Sequence, residues 1–137
     1  VGGEIVARGV NPEGKAWRLG IEKPTEGGRV VHEVVELRDS AMATSGDYRN
    51  YYEVDGQRVS HLIDPRSLQP ITHQLASVTV VAPKCSTADG WATALSVMGE
   101  ADGLALANEL GLSALFIVRE ASGSFSTHRS KAFDALK

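Results

Sequence analysis

The hydrophobic pattern of the chain changes its period after about residue 84, and this change constrains the fold more than any other feature. Before that point, short valine-rich or alternating stretches lie between turn signals, which is typical of β-strands. After it, Trp91, Ala92, Leu95 and Met98 recur at helical spacing. Strands followed by helices and a further strand predict an α+β domain, in which helices pack against an antiparallel β-sheet.

The first half of the chain predicts β-strands at residues 4–10, 17–22, 30–37, 48–54, 57–63 and 76–81. The Asn-Pro-Glu-Gly stretch at 11–14 is a turn signal between the first two strands. The Asp-Gly pair at 55–56 is typical of a two-residue hairpin. Residues 64–72 contain Pro65 and Pro70, so we expect a loop there.

The second half predicts helices on either side of another strand. We expect Ser86 or Thr87 to cap the first helix, with Asp89 in its first turn, where a carboxylate complements the helix dipole. Gly99 is expected to end this helix. The remaining predicted elements are a helix at residues 101–110 that ends at Gly111, a strand at 112–119 and a short helix at 131–136.

Composition excludes several classes of protein. A chain of 137 residues is long enough for one domain with its own core. The net charge of -3 gives no electrostatic reason to expect nucleic acid or a membrane surface as a partner. The single cysteine, Cys85, excludes an internal disulfide and is expected to be a packing residue. No apolar stretch is long enough to span a bilayer. The chain begins at Val1 without Met, so we expect it to be part of a longer protein.

Asp89 and Thr93 form the first candidate site, because residues one helical turn apart share a face of the helix. A carboxylate and a hydroxyl at this spacing can both reach a hard cation such as Mg²⁺. The same residues also fit a plainer role, in which Asp89 complements the helix dipole and Thr93 faces solvent.

Two other polar clusters precede this helix. Thr44-Ser45-Gly46-Asp47 is predicted to form a turn whose small side chains let the backbone approach a ligand, although ordinary connections between strands have the same composition. His61 lies close to Asp64 in the sequence, and a histidine can serve as a general base or a phosphate donor. A half-exposed strand histidine before a turn is the alternative. Together the clusters suggest a phosphate-bearing ligand held through Mg²⁺.

Short motifs follow one another along the chain: VGG at 1–3, WRLGIEKP at 17–24, TSGDYRNYY at 44–52, SHLIDPR at 60–66, SVTVVAP at 77–83 and ADGWAT at 88–93. In order and spacing these motifs resemble the ApbE family of FAD- and Mg²⁺-dependent flavin transferases. The resemblance extends from Val1 to about Arg119. It implies a T-fold-like α+β fold, and it identifies residues 1–137 as the C-terminal part of a single flavin transferase domain.

The resemblance also implies a reaction and its participants. Members of the family transfer FMN from FAD to a threonine or serine hydroxyl of a target protein and release AMP, so Mg²⁺ and FAD are expected here. The expected partners are target subunits of quinone or ferredoxin oxidoreductases and the N-terminal half of the same protein, which would supply most of the adenine pocket. Two alternatives remain: a relative that only binds FAD or hydrolyses it to FMN and AMP, and a structural remnant that associates with itself.

The resemblance assigns roles to individual residues. His61 matches the proposed base, Ile63 matches a flavin-contacting residue, and Thr44, Ser45 and Gly46 are expected to line the flavin side of the pocket; Asp89, Ala92 and Thr93 match the metal-binding helix. Ala92 stands where close relatives often carry a second acid, and Leu68 stands at the glycine of the family's Asp-Pro-Arg-Thr-Gly turn. The expected location is the bacterial periplasm, with a lipid anchor to the inner membrane in the full-length protein. The cytoplasm is the alternative.

Overall fold

A five-stranded antiparallel sheet forms the centre of the fold. The computed structural model describes residues 3–25, 28–46, 51–54 and 57–136. In chain order its elements are β1 (Ile5–Val6), β2 (Trp17–Glu22), β3 (Val31–Leu37), β4 (Ala41–Gly46), β5 (Tyr51–Val54), β6 (Gln57–Ser60), β7 (Ile63–Asp64), β8 (Gln69–Pro70), β9 (Leu75–Ala82), α1 (Cys85–Met98), α2 (Glu100–Leu110), β10 (Ser113–Arg119), β11 (Phe125–Arg129) and α3 (Lys131–Asp134). The strand order across the sheet is β1-β4-β9-β10-β11, and β2–β3, β5–β6 and β7–β8 form separate two-stranded ribbons.

The sheet is covered on both faces, which gives the molecule a layered core. One face packs against α1 and α2, with the buried side chains Ala43, Leu75, Val78, Val80, Ala88, Ala92, Leu95, Ala107, Ala114 and Phe116. The other face packs against the β2–β3 ribbon and α3, with the buried side chains Ala7, Ile21, Val35, Leu37, Met42, Val81, Leu115, Ile117 and Phe133. Successive residues of β10 alternate between these two sets, as the period of a strand requires.

Polar contacts fasten the β2–β3 ribbon to the edge strand β11. The Arg129 guanidinium donates two hydrogen bonds to the carboxylate of Glu33 on β3. These bonds raise the pKa of Arg129 above its usual range. Beside this pair, His32 Nε2 lies 2.7 Å from Thr127 Oγ1. The ribbon is therefore positioned on the sheet by directional contacts as well as by apolar packing.

A fully buried serine joins α3 to β10. Ser130 Oγ donates to the Leu112 carbonyl oxygen at 2.6 Å and accepts from the Ala114 backbone N–H at 2.9 Å. The same oxygen accepts from the Phe133 backbone N–H and so caps the first turn of α3.

The structure confirms the predicted α+β fold, with helices packed on an antiparallel sheet. The strand at residues 17–22 and the helix ends at Gly99 and Gly111 are as predicted. The turn at 11–14 closes through a hydrogen bond from the Gly14 N–H to the Asn11 carbonyl oxygen. Strands β5 and β6 pair as the hairpin signal predicts. The turn residues at 55–56 lie outside the described residues, as do residues 47–50. No helix in the described ranges is both long and apolar enough to cross a bilayer.

Several local predictions are wrong. Helix α1 begins at Cys85 with Lys84 as its N-cap, so neither Ser86 nor Thr87 caps it, and Asp89 lies beyond its first turn. Residues 44–46 are not a turn, because they continue β4 and pair with β9. The predicted strand at 4–10 is limited to β1, and the loop at 64–72 contains the short β7–β8 ribbon. The sequence pattern did not predict β11.

Candidate functional site

The contact between β4 and α1 places the first candidate residues. Ser45 Oγ on β4 and Thr93 Oγ1 on α1 are 3.1 Å apart, which is hydrogen-bonding distance. Ala43, two residues before Ser45, packs with Ala88 and Ala92 of α1 in the same core cluster. Strand β4 therefore fixes the position of the middle of α1.

Asp89 and Thr93 are both exposed and lie one helical turn apart on α1. Ala92 is fully buried against the sheet, and its methyl group has no ligand atom. Of the positions predicted for the metal, Asp89 and Thr93 therefore present side-chain oxygens to solvent, and Ala92 presents none.

The donor chemistry of this helix fits Mg²⁺ together with a ligand. In the part of the chain that the structure describes, no group of three His, Cys, Asp or Glu side chains could hold a metal ion. Carboxylate and hydroxyl oxygens are hard donors, and Mg²⁺ commonly takes one or two protein carboxylates and completes its coordination with water and phosphate oxygens. Asp89 and Thr93 thus suit an ion shared with a phosphate-bearing ligand rather than one enclosed by protein alone.

The segment from β6 to β8 carries the other predicted site residues, and its strand β7 lies against α1. His61 follows β6 directly and is exposed. Ile63, the first residue of β7, is 49% exposed although it is a large apolar side chain. The segment therefore presents an imidazole and an apolar surface close together in the chain and beside the helix that carries Asp89.

Asp64 stabilises the turn that follows β7. Its Oδ1 accepts hydrogen bonds from the Arg66 backbone N–H at 2.9 Å and from Arg66 Nε at 3.0 Å, and its Oδ2 accepts from Arg66 Nη2 at 2.9 Å. These hydrogen bonds hold the pKa of the Asp64 carboxyl below its usual range. The carboxylate is therefore hydrogen-bonded to Arg66, and these bonds shape the turn that follows Ile63.

The same turn requires a left-handed backbone, and Leu68 adopts it with φ of 57°. The Leu68 N–H donates to the Asp64 carbonyl oxygen at 2.8 Å. This position matches the glycine of the family's turn, and Leu68 adopts there a backbone conformation that glycine reaches without strain. A left-handed conformation costs a residue with a side chain about 1–2 kcal/mol.

Thr44 and Gly46 occupy a different environment from Ser45. Thr44 Oγ1 lies 2.8 Å from Thr79 Oγ1, which is fully buried, and this contact is on the side of β4 away from α1. Gly46 pairs with Ser77 at the end of β4. The flavin contacts expected of Thr44, Ser45 and Gly46 stay predictions, and the hydroxyls of Thr44 and Ser45 point to opposite faces of the strand.

The sequence did not indicate a role for His73, which the structure places at the junction of α1 and α2. Both of its ring nitrogens are buried without a hydrogen-bond partner in the described ranges. A Cβ atom added at Gly99 would lie 3.1 Å from His73 Cδ2, so the ring packs directly on the glycine between the two helices. Gly99 was predicted only as the end of a helix. Its lack of a side chain also leaves the space in which the His73 ring packs.

These features define an α+β protein in which one helix carries hard oxygen donors beside a segment with an exposed histidine. The chain belongs to the ApbE family, whose model matches residues 1–116.

The relatives of the chain agree with this assignment. It is 50% identical over 133 residues to a protein named FAD:protein FMN transferase from Klebsiella pneumoniae (strain 342), covering 97% of this chain and 38% of that protein. The protein of the same name from Vibrio cholerae serotype O1 is 49% identical, with 97% of this chain and 40% of that protein covered. The chain spans about two-fifths of the length of these relatives.

Solved structures give the same result for the fold. The apo form of the flavinyl transferase ApbE from Pseudomonas stutzeri matches with a TM-score of 0.83 at 48% identity, covering 99% of this chain and 42% of that chain. The flavin transferase ApbE from Vibrio cholerae also matches with a TM-score of 0.83, at 44% identity, covering 98% of this chain and 42% of that chain.

Proposed function

We propose that the complete protein transfers FMN from FAD to a threonine or serine hydroxyl of a target protein and releases AMP. The names of the relatives support FAD as the donor and a protein as the acceptor. The structural observation that carries the proposal is the arrangement around α1. Asp89 and Thr93 are exposed on this helix, and the strand that carries Ile63 packs against it next to His61.

Each of these residues has a task in the transfer. The acceptor hydroxyl oxygen forms a bond to the phosphorus of the FMN moiety, and the bond from that phosphorus to the bridging oxygen breaks, so AMP leaves with the bridging oxygen. His61 accepts the proton of the acceptor hydroxyl. Asp89 and Thr93 hold Mg²⁺, which when bound neutralises charge on the pyrophosphate oxygens. Ile63 offers an apolar surface to the flavin ring.

The experiment is an incubation of the complete protein with FAD, Mg²⁺ and an acceptor peptide that contains threonine, followed by mass spectrometry of the peptide. The proposal predicts a mass gain equal to FMN and an equal amount of free AMP. A chelator such as EDTA should abolish both products, and a peptide with alanine in place of the threonine should remain unmodified. Release of FMN and AMP with an unmodified peptide would instead identify an FAD pyrophosphatase, and intact FAD would contradict both activities.

The motif resemblance alone supports two further proposals about the setting of this reaction. We propose that the targets are subunits of quinone or ferredoxin oxidoreductases and that the full-length protein acts in the bacterial periplasm. Fractionation of cells, with flavin fluorescence of the separated proteins, tests both. Labelled targets should be membrane proteins with flavin on the periplasmic side, and activity confined to the cytoplasmic fraction would contradict the location.

A further inference from the structure

The contact between Ser45 and Thr93 joins a strand of the central sheet to the proposed cation-binding helix. The two hydroxyl oxygens are 3.1 Å apart, and either hydroxyl can donate in this contact. Ser45 is half-buried and Thr93 is exposed. The contact therefore links the exposed hydroxyl-bearing residue Thr93 to the less exposed Ser45 of the sheet.

A cation imposes a direction on this hydrogen bond. A hydroxyl group binds a cation through an oxygen lone pair, so its proton must point away from the ion. Ser45 Oγ is an acceptor at the right distance for that proton. In a helix, a threonine hydroxyl can otherwise turn back to the carbonyl oxygen one turn earlier, which for Thr93 is that of Asp89. The contact with Ser45 selects between these two orientations.

Ser45 lies on a strand, β4, whose position is fixed by contacts on both of its faces and by pairing with β9. The strand pairs with β9 along its whole length, from Ala41 to Gly46. Thr44 bonds to Thr79 on the face away from α1, while Ala43 packs into the core beneath α1. The backbone of Ser45 is consequently held in place relative to the helix.

We propose that Ser45 is a positioning residue for the metal site: its Oγ accepts the Thr93 proton and thereby aims a Thr93 lone pair at the divalent cation that Asp89 binds. This inference rests on the proposed function, and it assigns Ser45 a role other than the flavin contact expected from the motif. Residues that orient metal ligands typically contribute about 10–100-fold to metal affinity.

The test is a titration of the complete protein with Mn²⁺, a paramagnetic substitute for Mg²⁺, in which electron paramagnetic resonance reports free Mn²⁺. The variants are Ser45→Ala, Ser45→Thr, Thr93→Val, the double variant Ser45→Ala/Thr93→Val, and Asp89→Asn as the reference for loss of the site. Ser96→Ala is the matched control, because Ser96 is on the same helix and its buried hydroxyl makes no hydrogen bond in the described ranges. Thermal unfolding of each variant verifies that it is folded.

We expect Ser45→Ala to raise the Kd for Mn²⁺ by about tenfold. Ser45→Thr, which keeps a hydroxyl, should retain most of the affinity, and Ser96→Ala should leave the Kd unchanged. In the Thr93→Val background, Ser45→Ala should have no further effect, because the serine acts through the threonine hydroxyl.

Two results would overturn the inference and leave the proposed function unaffected. One is an unchanged Kd for Mn²⁺ in Ser45→Ala while Asp89→Asn loses binding. The other is an equal effect of Ser45→Ala on the Kd with and without the Thr93 hydroxyl. If Asp89→Asn binds Mn²⁺ as tightly as the unchanged protein, the cation is not on this helix, and the metal assignment and the inference fail together.

Discussion

Two helical glycines should respond to the same substitution with opposite signs. Gly90 lies within α1 with no heavy atom within 4 Å of a Cβ added there. Gly90→Ala should therefore raise the free energy of unfolding by about 0.5–1 kcal/mol, since alanine loses less backbone entropy in a helix than glycine does. Gly103 lies within α2, where an added Cβ would be 3.0 Å from Phe116 Cε1 and 3.1 Å from the Leu95 carbonyl oxygen.

Gly103→Ala gains the same propensity but must displace a fully buried ring and the backbone of α1. Overpacking of this kind costs about 1–3 kcal/mol, so the net change is a loss of up to about 2 kcal/mol. Urea unfolding, followed by tryptophan fluorescence and far-UV circular dichroism, measures both variants against the unchanged protein. The slope of the transition should stay constant, so that a shift in midpoint reports stability. Equal stability of the two variants would refute the packing described for α1, α2 and Phe116.

Two other predictions concern the buried serine and the turn after β7. Ser130→Ala removes the hydrogen-bond partner of the Ala114 N–H in the core, which should cost about 2–4 kcal/mol in urea unfolding, whereas Ser122→Ala in an exposed turn should change stability by less than about 0.5 kcal/mol. A similar small loss in both would contradict the role of Ser130. Arg66 lowers the pKa of Asp64, so the stability this pair contributes is present above the ordinary value of 3.8 and is lost as the pH falls through the lowered pKa. The carboxyl resonance of Asp64 should titrate below 3.8 and return toward it in Arg66→Gln; an unshifted midpoint in the unchanged protein would count against the turn geometry.

The parts of the fold that the sequence predicts are those where local and tertiary preferences agree. Helix α2 ends at Gly111, which has the left-handed backbone typical of a C-cap, and β2 has the bounds that its pattern indicates. The missed strands, β4 and β11, lack the alternating apolar pattern that indicates a strand: β4 consists mostly of small residues, and Phe125 is the one apolar residue of β11. They become strands because β9 and β10 offer them long pairing edges, which is information that no local pattern contains.

In the candidate site, too, the features that depend on local spacing could be predicted, and those that depend on tertiary contacts could not. The spacing of Asp89 and Thr93 predicts one helix face, and the structure exposes both residues there. Ile63 is exposed and so is not a core residue, and its flavin contact stays a prediction. The hydrogen bond between Thr93 and Ser45 could not be predicted, because it joins residues 48 positions apart and depends on β4 being a strand. Burial of Ala92 follows from the same packing of α1 on β4.

The proposed transfer depends on α1 holding the divalent cation through Asp89. The most direct test measures the rate of FMN transfer to an acceptor peptide as a function of Mg²⁺ concentration, at saturating FAD, for the complete protein, Asp89→Asn and the control Glu109→Gln on the exposed side of α2. Loss of a metal ligand should cost more than loss of an orienting neighbour, so Asp89→Asn should lower the rate by more than about 100-fold, with partial recovery at high Mg²⁺. Glu109→Gln should match the unchanged protein. An Asp89→Asn variant with the full rate and an unchanged Mg²⁺ requirement would show that Asp89 does not hold the cation.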